Sequence, residues 1–103
     1  MRIRVELFGI PRQRAGVAQV ELTWDDEPSS ANDSPPTLRR VLDELARRFP
    51  PLAASCFEPA EESRSWRLSP HTLAQIQDVF TRDPDAPLAD DDRVLLLSAD
   101  AGG

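Results

Sequence analysis

Few residues of this chain could do chemistry unaided. Cys56 is the only cysteine and His71 the only histidine. With no second ligand beside either of them, neither a zinc site nor a nucleophile–histidine triad can be assembled. No basic cluster flanks Cys56 to lower its pKa, so it reads as a buried or tolerated thiol. His71 reads as an exposed or capping side chain. Asp90-Asp91-Asp92 supplies carboxylates but lacks the rest of a calcium-loop spacing, and reads as a solvated turn. There is no glycine-rich phosphate loop and no serine elbow. What remains is main chain: the sequence closes on Gly102-Gly103. Glycine has no Cβ and accepts backbone angles closed to other residues. Such a tail is thin enough to thread a narrow channel and present its carboxyl there. Two terminal glycines alone would equally suit a frayed end. The chain is not expected to catalyse by itself, and no metal site is expected.

The rest of the composition sets bounds. A length of 103 residues fits one domain with one core and leaves no room for a deep cleft. Ten prolines in a few stretches assign part of that length to loops. The net charge of −6 disfavours nucleic acid and anionic membrane, which both require cationic surface, and favours a basic protein partner. All twelve basic residues are arginine. GC-rich codon usage would explain this, and an activated carboxyl terminus would also meet no lysine amine on its own surface. The alternating start Met1–Glu6 is no signal-peptide core. No apolar run approaches the ~20 residues of a membrane span. The expectation is a soluble, cytoplasmic protein.

Two periodicities organise the chain. Residues 2–8 alternate, with Ile3, Val5 and Leu7 on one side, which predicts a strand with one buried face. Gly9 to Gly16 reads as a turn. Residues 18–24 alternate again, with Val20, Leu22 and Trp24 inward, which predicts an antiparallel hairpin. Residues 25–36 read as a polar loop. Thr37 reads as an N-cap. Leu38, Val41, Leu42, Leu45, Ala46 and Phe49 follow at helical spacing, opposite a charged face. Pro50-Pro51 should stop that helix. Residues 52–71 read as a loop with a short strand at 65–68. Segments 72–77 and 79–82 read as two short strands, and residues 83–87 as a turn followed by Leu88 as an apolar plug. Residues 90–92 form a further turn, and 93–98 a near-continuous apolar strand expected at the centre of a sheet. If the first and last strands are parallel neighbours, the helix must cross one face of the sheet.

These residues resemble a known family. Leu7-Phe8-Gly9 followed by Arg12, Arg14 and Gly16 is similar to the start of the molybdopterin synthase small subunit and its relatives, the MoaD/ThiS sulfur carriers. The helix Thr37–Phe49 before Pro50 resembles that family's long helix. The run from Asp85 to Leu97 resembles its approach to the tail, and the chain ends on Gly102-Gly103 as those carriers do. Three departures stand out. Gln77-Asp78 occupies the place of an Asn-Gly turn, Asp91 replaces a turn glycine, and Ser98–Ala101 lacks the usual prolines. The segments 25–36 and 52–71 are longer than a minimal carrier needs.

The resemblance implies an α+β fold: a β-grasp (ubiquitin-like) domain with a mixed four- to five-stranded sheet and one main helix on one face. Residues 1–98 would form that domain and 99–103 a flexible tail. It implies that Gly103 is the reactive site. A ubiquitin-activating-type adenylating enzyme would use ATP to activate the Gly103 carboxyl, and a sulfur donor would convert it to a thiocarboxylate. Ala101 and Gly102 would lie in the enzyme's channel. No cofactor would be bound by the chain itself. The sulfur would pass to a larger synthase subunit in molybdenum-cofactor biosynthesis, or to another acceptor enzyme in thiamine-thiazole synthesis or tRNA thiolation. Alternatively the chain is a protein modifier conjugated through Gly103 to lysines, or an interaction domain with an inert tail. The strand register places Leu95, Leu97 and Phe8 on the face away from the helix, with Arg2 and Arg4. This is an apolar patch rimmed by charge, suited to a partner unless residues 52–71 cover it.

Overall fold

The computed structural model describes residues 2–23, 37–59 and 66–98. Trp24, the loop 25–36, part of the segment 52–71 and the whole tail, including Ala101, Gly102 and Gly103, lie outside them. The elements are β1 (Arg2–Leu7), α1 (Ile10–Ala15), β2 (Gln19–Thr23), α2 (Leu38–Arg48), α3 (Pro50–Cys56), β3 (Phe57–Pro59), β4 (Trp66–Leu68), β5 (Thr72–Ile76), β6 (Val79–Thr81) and β7 (Arg93–Ser98). Five strands form one mixed sheet in the order β2-β1-β7-β5-β6, while β3 and β4 form a separate ribbon. β1 pairs antiparallel with β2 and parallel with β7.

The alternation seen in the sequence decides what each face of the sheet does. Ile3, Val5 and Leu7 of β1, Leu22 of β2, and Val94 and Leu96 of β7 are essentially fully buried. They meet Leu38, Val41, Leu42 and Leu45 of α2, also without exposure. Each such side chain contributes roughly 1.5–3 kcal/mol over an exposed one. This is the β-grasp arrangement: a mixed sheet with its longest helix across one face. Leu88, expected as a plug, is buried.

Three local expectations are corrected. Residues 9–16 are not a plain turn but contain α1. Pro11 sits in the first helical turn, where its missing N–H is not needed, and is buried. Gly16 closes the helix in the left-handed region, its N–H donating to the Arg12 carbonyl at 2.9 Å. Six residues are too few to show a helical period. Pro50-Pro51 ends α2 but also opens α3, because proline is excluded from a helix interior yet favoured at its first positions. Phe49, with φ −130° and ψ 75°, is the shared boundary. In the described part of 52–71 the short strand expected at 65–68 is present as β4, whereas most of the expected loop before it is α3 and β3. Thr37 stands at the N-cap position of α2, but its side chain makes no cap. The first N–H groups of the helix, of Leu38 and Arg39, donate instead to the carbonyls of Ala86 (2.9 Å) and Pro84 (2.7 Å). The 83–87 turn caps the main helix, and Arg39 pairs with Asp85 at 2.8 Å.

At the end of α2, Glu44 accepts from Arg47 and from Arg48 Nε, the latter at 2.7 Å. Hydrogen bonds from Arg47 and then Arg48 hold its carboxyl below the usual range. A carboxyl with a depressed folded pKa stabilises the fold above its unfolded pKa of about 4.3, and that contribution is lost as pH falls through the folded value. Thermal unfolding of wild type and Glu44→Gln should therefore differ near neutral pH, with wild type the more stable. The difference should shrink steadily in acid. A constant difference would show that the ion pairs contribute nothing.

Candidate functional site

The face of the sheet turned away from α2 carries the side chains that alternate with the core. Glu6 of β1 lies beside Leu95 of β7, which lies opposite Gln75 of β5, which lies opposite Phe80 of β6. One row further along, Leu97 lies opposite Leu73. Leu7 aligns with Leu96, and the Phe8 N–H donates to the Leu96 carbonyl at 2.9 Å. Continuing this register puts Phe8 beside Leu97. Phe8 is 45% exposed, and Leu95, Leu97 and Leu73 are half-buried. The apolar patch expected at Phe8, Leu95 and Leu97 is thus a contiguous surface. Leu73, which sequence reasoning did not assign to it, extends it, and Phe80, also unassigned, lies on the same face beyond Gln75. Their strands were legible, but which strand would lie beside β7 was not.

The described part of 50–68 packs against α1 and α2, with Leu52, Ala53 and Cys56 in the core. It lies on the helix side and leaves the outer face open. The charged rim is built unevenly. Arg4 stands one row below Leu95, between Glu21 and Arg93, and Arg93 Nε is 3.1 Å from Glu6 Oε2. Arg2 is at the far end of β1, about 20 Å of strand from Phe8. Its guanidinium pairs with Asp91 at 3.1 Å, and its N–H donates to Asp90 Oδ1 at 2.9 Å. The structure therefore brings Phe8, Leu95 and Leu97 together, sets Arg4 at their border and engages Arg2 in the acidic turn.

The 90–92 turn is accounted for by these contacts. Asp92 accepts from Gln77 Nε2 at 3.1 Å and from the Ala89 N–H at 2.8 Å. No group of three His, Cys, Asp or Glu among the described residues could hold a metal ion. Cys56 is buried, and burial pushes its thiol pKa up, so the nucleophilic thiolate is disfavoured. His71 is exposed in the turn before β5.

The last described residue of β7 is Ser98. Because β7 runs parallel to β1, it ends at the same edge of the sheet as Phe8. Gly9 lies against this point: a Cβ added there would stand 3.7 Å from Ser98 Cβ, and its φ of +65° is one that glycine adopts without strain. Chain beyond Ser98 therefore departs from the border of the apolar patch.

Three residues other than glycine have positive φ: Gln77 (51°), Asp78 (66°) and Asp91 (66°) among the described residues. They occupy the two turns where the sequence departs from the Asn-Gly and glycine of the family it resembles. The backbone keeps the left-handed turns while the side chains do not favour them. Asp78→Gly should accordingly stabilise the fold, by up to about 1 kcal/mol net of glycine's entropy cost. A denaturant midpoint that falls on this substitution would mean that the Asp78 side chain matters more than its strain.

No protein-family model matches the chain, and no curated protein matches it. Solved structures do. SAMP1 from Haloferax volcanii superposes with a TM-score of 0.73 at 19% identity over 100% of both chains. The small archaeal modifier protein 1 of Methanosarcina acetivorans gives 0.73 at 24% identity, over 99% of this chain and 96% of that one. A putative molybdopterin converting factor, subunit 1, from Pyrococcus furiosus gives 0.62 at 19% identity, over 95% and 97%. These likenesses establish the ubiquitin-like β-grasp fold, as the resemblance in the sequence implied.

Proposed function

We propose that this β-grasp chain is a sulfur carrier whose working group is the Gly103 carboxyl. The observation that carries the reading is the end of β7. Parallel pairing with β1 brings Ser98 to the border of the Phe8–Leu97 patch, so docking on that patch would aim the following residues into the partner. In the proposed cycle the Gly103 carboxylate attacks the α-phosphate of ATP on an activating enzyme and displaces pyrophosphate. Hydrosulfide from a sulfide donor then attacks the acyl carbon, and AMP leaves. The resulting thiocarboxylate is a nucleophile held at the end of an arm. The acceptor enzyme supplies its positioning, so a bimolecular encounter becomes an effectively intramolecular one. The favoured acceptor is the large subunit of a molybdopterin synthase. The similarity to the Pyrococcus converting factor supports that branch.

A second reading has its own support. Two of the structures above, similar over nearly their whole length, are named as small archaeal modifier proteins. On that reading the activated Gly103 is transferred to a lysine amine of a target. Both readings share the activation step and differ in the acceptor. The test is intact mass spectrometry of the chain incubated with ATP, sulfide and the host's activating enzyme. Replacement of one carboxyl oxygen by sulfur at Gly103 supports the carrier. A peptide of residues 94–103 left on host lysines by trypsin, whose last cleavage site in this chain is Arg93, supports the modifier. An unchanged mass with no conjugates refutes both.

A further inference from the structure

We propose that the edge of β6, unpaired among the described residues, is a homodimer interface, in which two copies pair antiparallel about a two-fold axis at Phe80. β6 closes one side of the five-stranded sheet. It carries the two most exposed large apolar side chains of the described residues, Val79 at 63% and Phe80 at 57%. They point to opposite faces of the sheet, so the edge is apolar both above and below. Beneath it, on the Val79 side, a groove of about 210 Å³ is lined by Ile76, Thr81, Ala86 and Pro87 among others.

The register follows from the hairpin. Ile76 pairs with Val79 across the two-residue turn Gln77-Asp78, in which both φ values are positive. A turn of this kind is closed by a hydrogen-bonded pair, and such pairs alternate along an antiparallel ladder. Val79 and Thr81 therefore direct their backbone groups to β5. Phe80 directs its N–H and C=O outward, to the open edge. A second copy can use them in one self-complementary way: each Phe80 N–H donates to the Phe80 carbonyl of the other copy.

Charge argues for a copy of this chain as the occupant. Along the edge the order is Asp78, Phe80, Arg82, with Val79 and Thr81 between. Antiparallel pairing centred on Phe80 brings each Asp78, in the turn before β6, towards the Arg82 that follows β6 in the other copy. A strand flanked by a negative charge before it and a positive charge after it is its own complement in this direction, whereas parallel pairing would oppose like charges. Arg82 is already held in place: its Nη2 donates to the Pro70 carbonyl at 2.7 Å and its Nε to the Thr72 carbonyl at 3.3 Å. Its remaining donors are available to a carboxylate. Each Val79 would lie opposite a Thr81 at the mouth of the groove. The pairing uses the edge and leaves the Phe8–Leu97 end of the outer face uncovered. It is independent of the carrier reading.

So short an interface makes a weak dimer, so the experiment is sedimentation velocity of the full chain from micromolar to near-millimolar concentration. Wild type should shift reversibly from monomer to dimer. Phe80→Lys and Phe80→Glu should each weaken the dimer at least tenfold when alone, because like charges meet at the axis. Mixed in equal amounts they should dimerise again. Asp78→Arg and Arg82→Glu should behave the same way, alone and mixed. The Phe80 pair decides the matter if Arg82→Glu fails to fold. Wild type that stays monomeric throughout overturns the proposal. So does a dimer indifferent to Phe80→Lys, or paired variants that do not restore association.

Discussion

Deletion of Gly103 is expected to abolish the sulfur-dependent mass gain while leaving the thermal unfolding midpoint unchanged. The second half follows from where the core ends. Val94 and Leu96 are the last fully buried residues of β7, and Ser98 is its last residue. No core contact of the described residues depends on position 103. The first half follows from reach. Removing one residue still leaves a glycine carboxyl, but one that falls short by about 3.3–3.6 Å in an extended chain. A misplacement of about 1 Å can cost on the order of 10²-fold in a positioned reaction, so this shortfall should remove the signal. Intact mass and a melting curve on the same sample check both halves. A shortened chain that still gains sulfur would show that Gly103 is not the reacting residue. A lowered midpoint would show that the tail packs on the domain.

Leu97→Asp and Leu96→Asp, neighbours on one strand, are expected to fail in different ways. Leu96 has no exposure and points into the core among the residues of α2 and β1. An unpaired carboxylate there costs several kcal/mol against a total stability of about 5–15 kcal/mol, so Leu96→Asp should unfold. Leu97 points the other way, half-buried against Leu73 on the outer face. Its replacement should cost the fold about 1 kcal/mol. Affinity for the activating enzyme should fall roughly 30-fold or more, the effect of losing one anchor worth about 2 kcal/mol. Circular dichroism and a binding titration separate the outcomes. If Leu97→Asp binds as wild type does, the patch is not the docking surface. If it unfolds, Leu97 belongs to the core.

The two members of this pair behave as opposites because a strand turns successive side chains to opposite faces. That much was legible in the alternation of Ile3, Val5 and Leu7 and in the run 93–98. The main helix was legible for a similar reason, since Leu38, Val41, Leu42 and Leu45 recur at helical spacing. Short elements were not legible. α1 and α3 have six and seven residues, too few to display a period, and their prolines read as breaks although they sit at helix starts. The N-cap position at Thr37 was legible, but its mechanism was not. The carbonyls that satisfy α2 belong to Pro84 and Ala86, nearly fifty residues away in the chain.

The sequence by itself determined which side chains share a face, where the long helix lies and that the chain ends on two glycines. These are local properties, set by backbone period and residue type. Only the tertiary structure decided which strands are neighbours. Pairing of β7 with both β1 and β5 is a long-range choice that no local pattern encodes. It joins Phe8 to Leu97 and Leu97 to Leu73, and brings the end of β7 to the border of the patch. The same choice leaves β6 at the sheet's edge, where Phe80 turns its backbone outward.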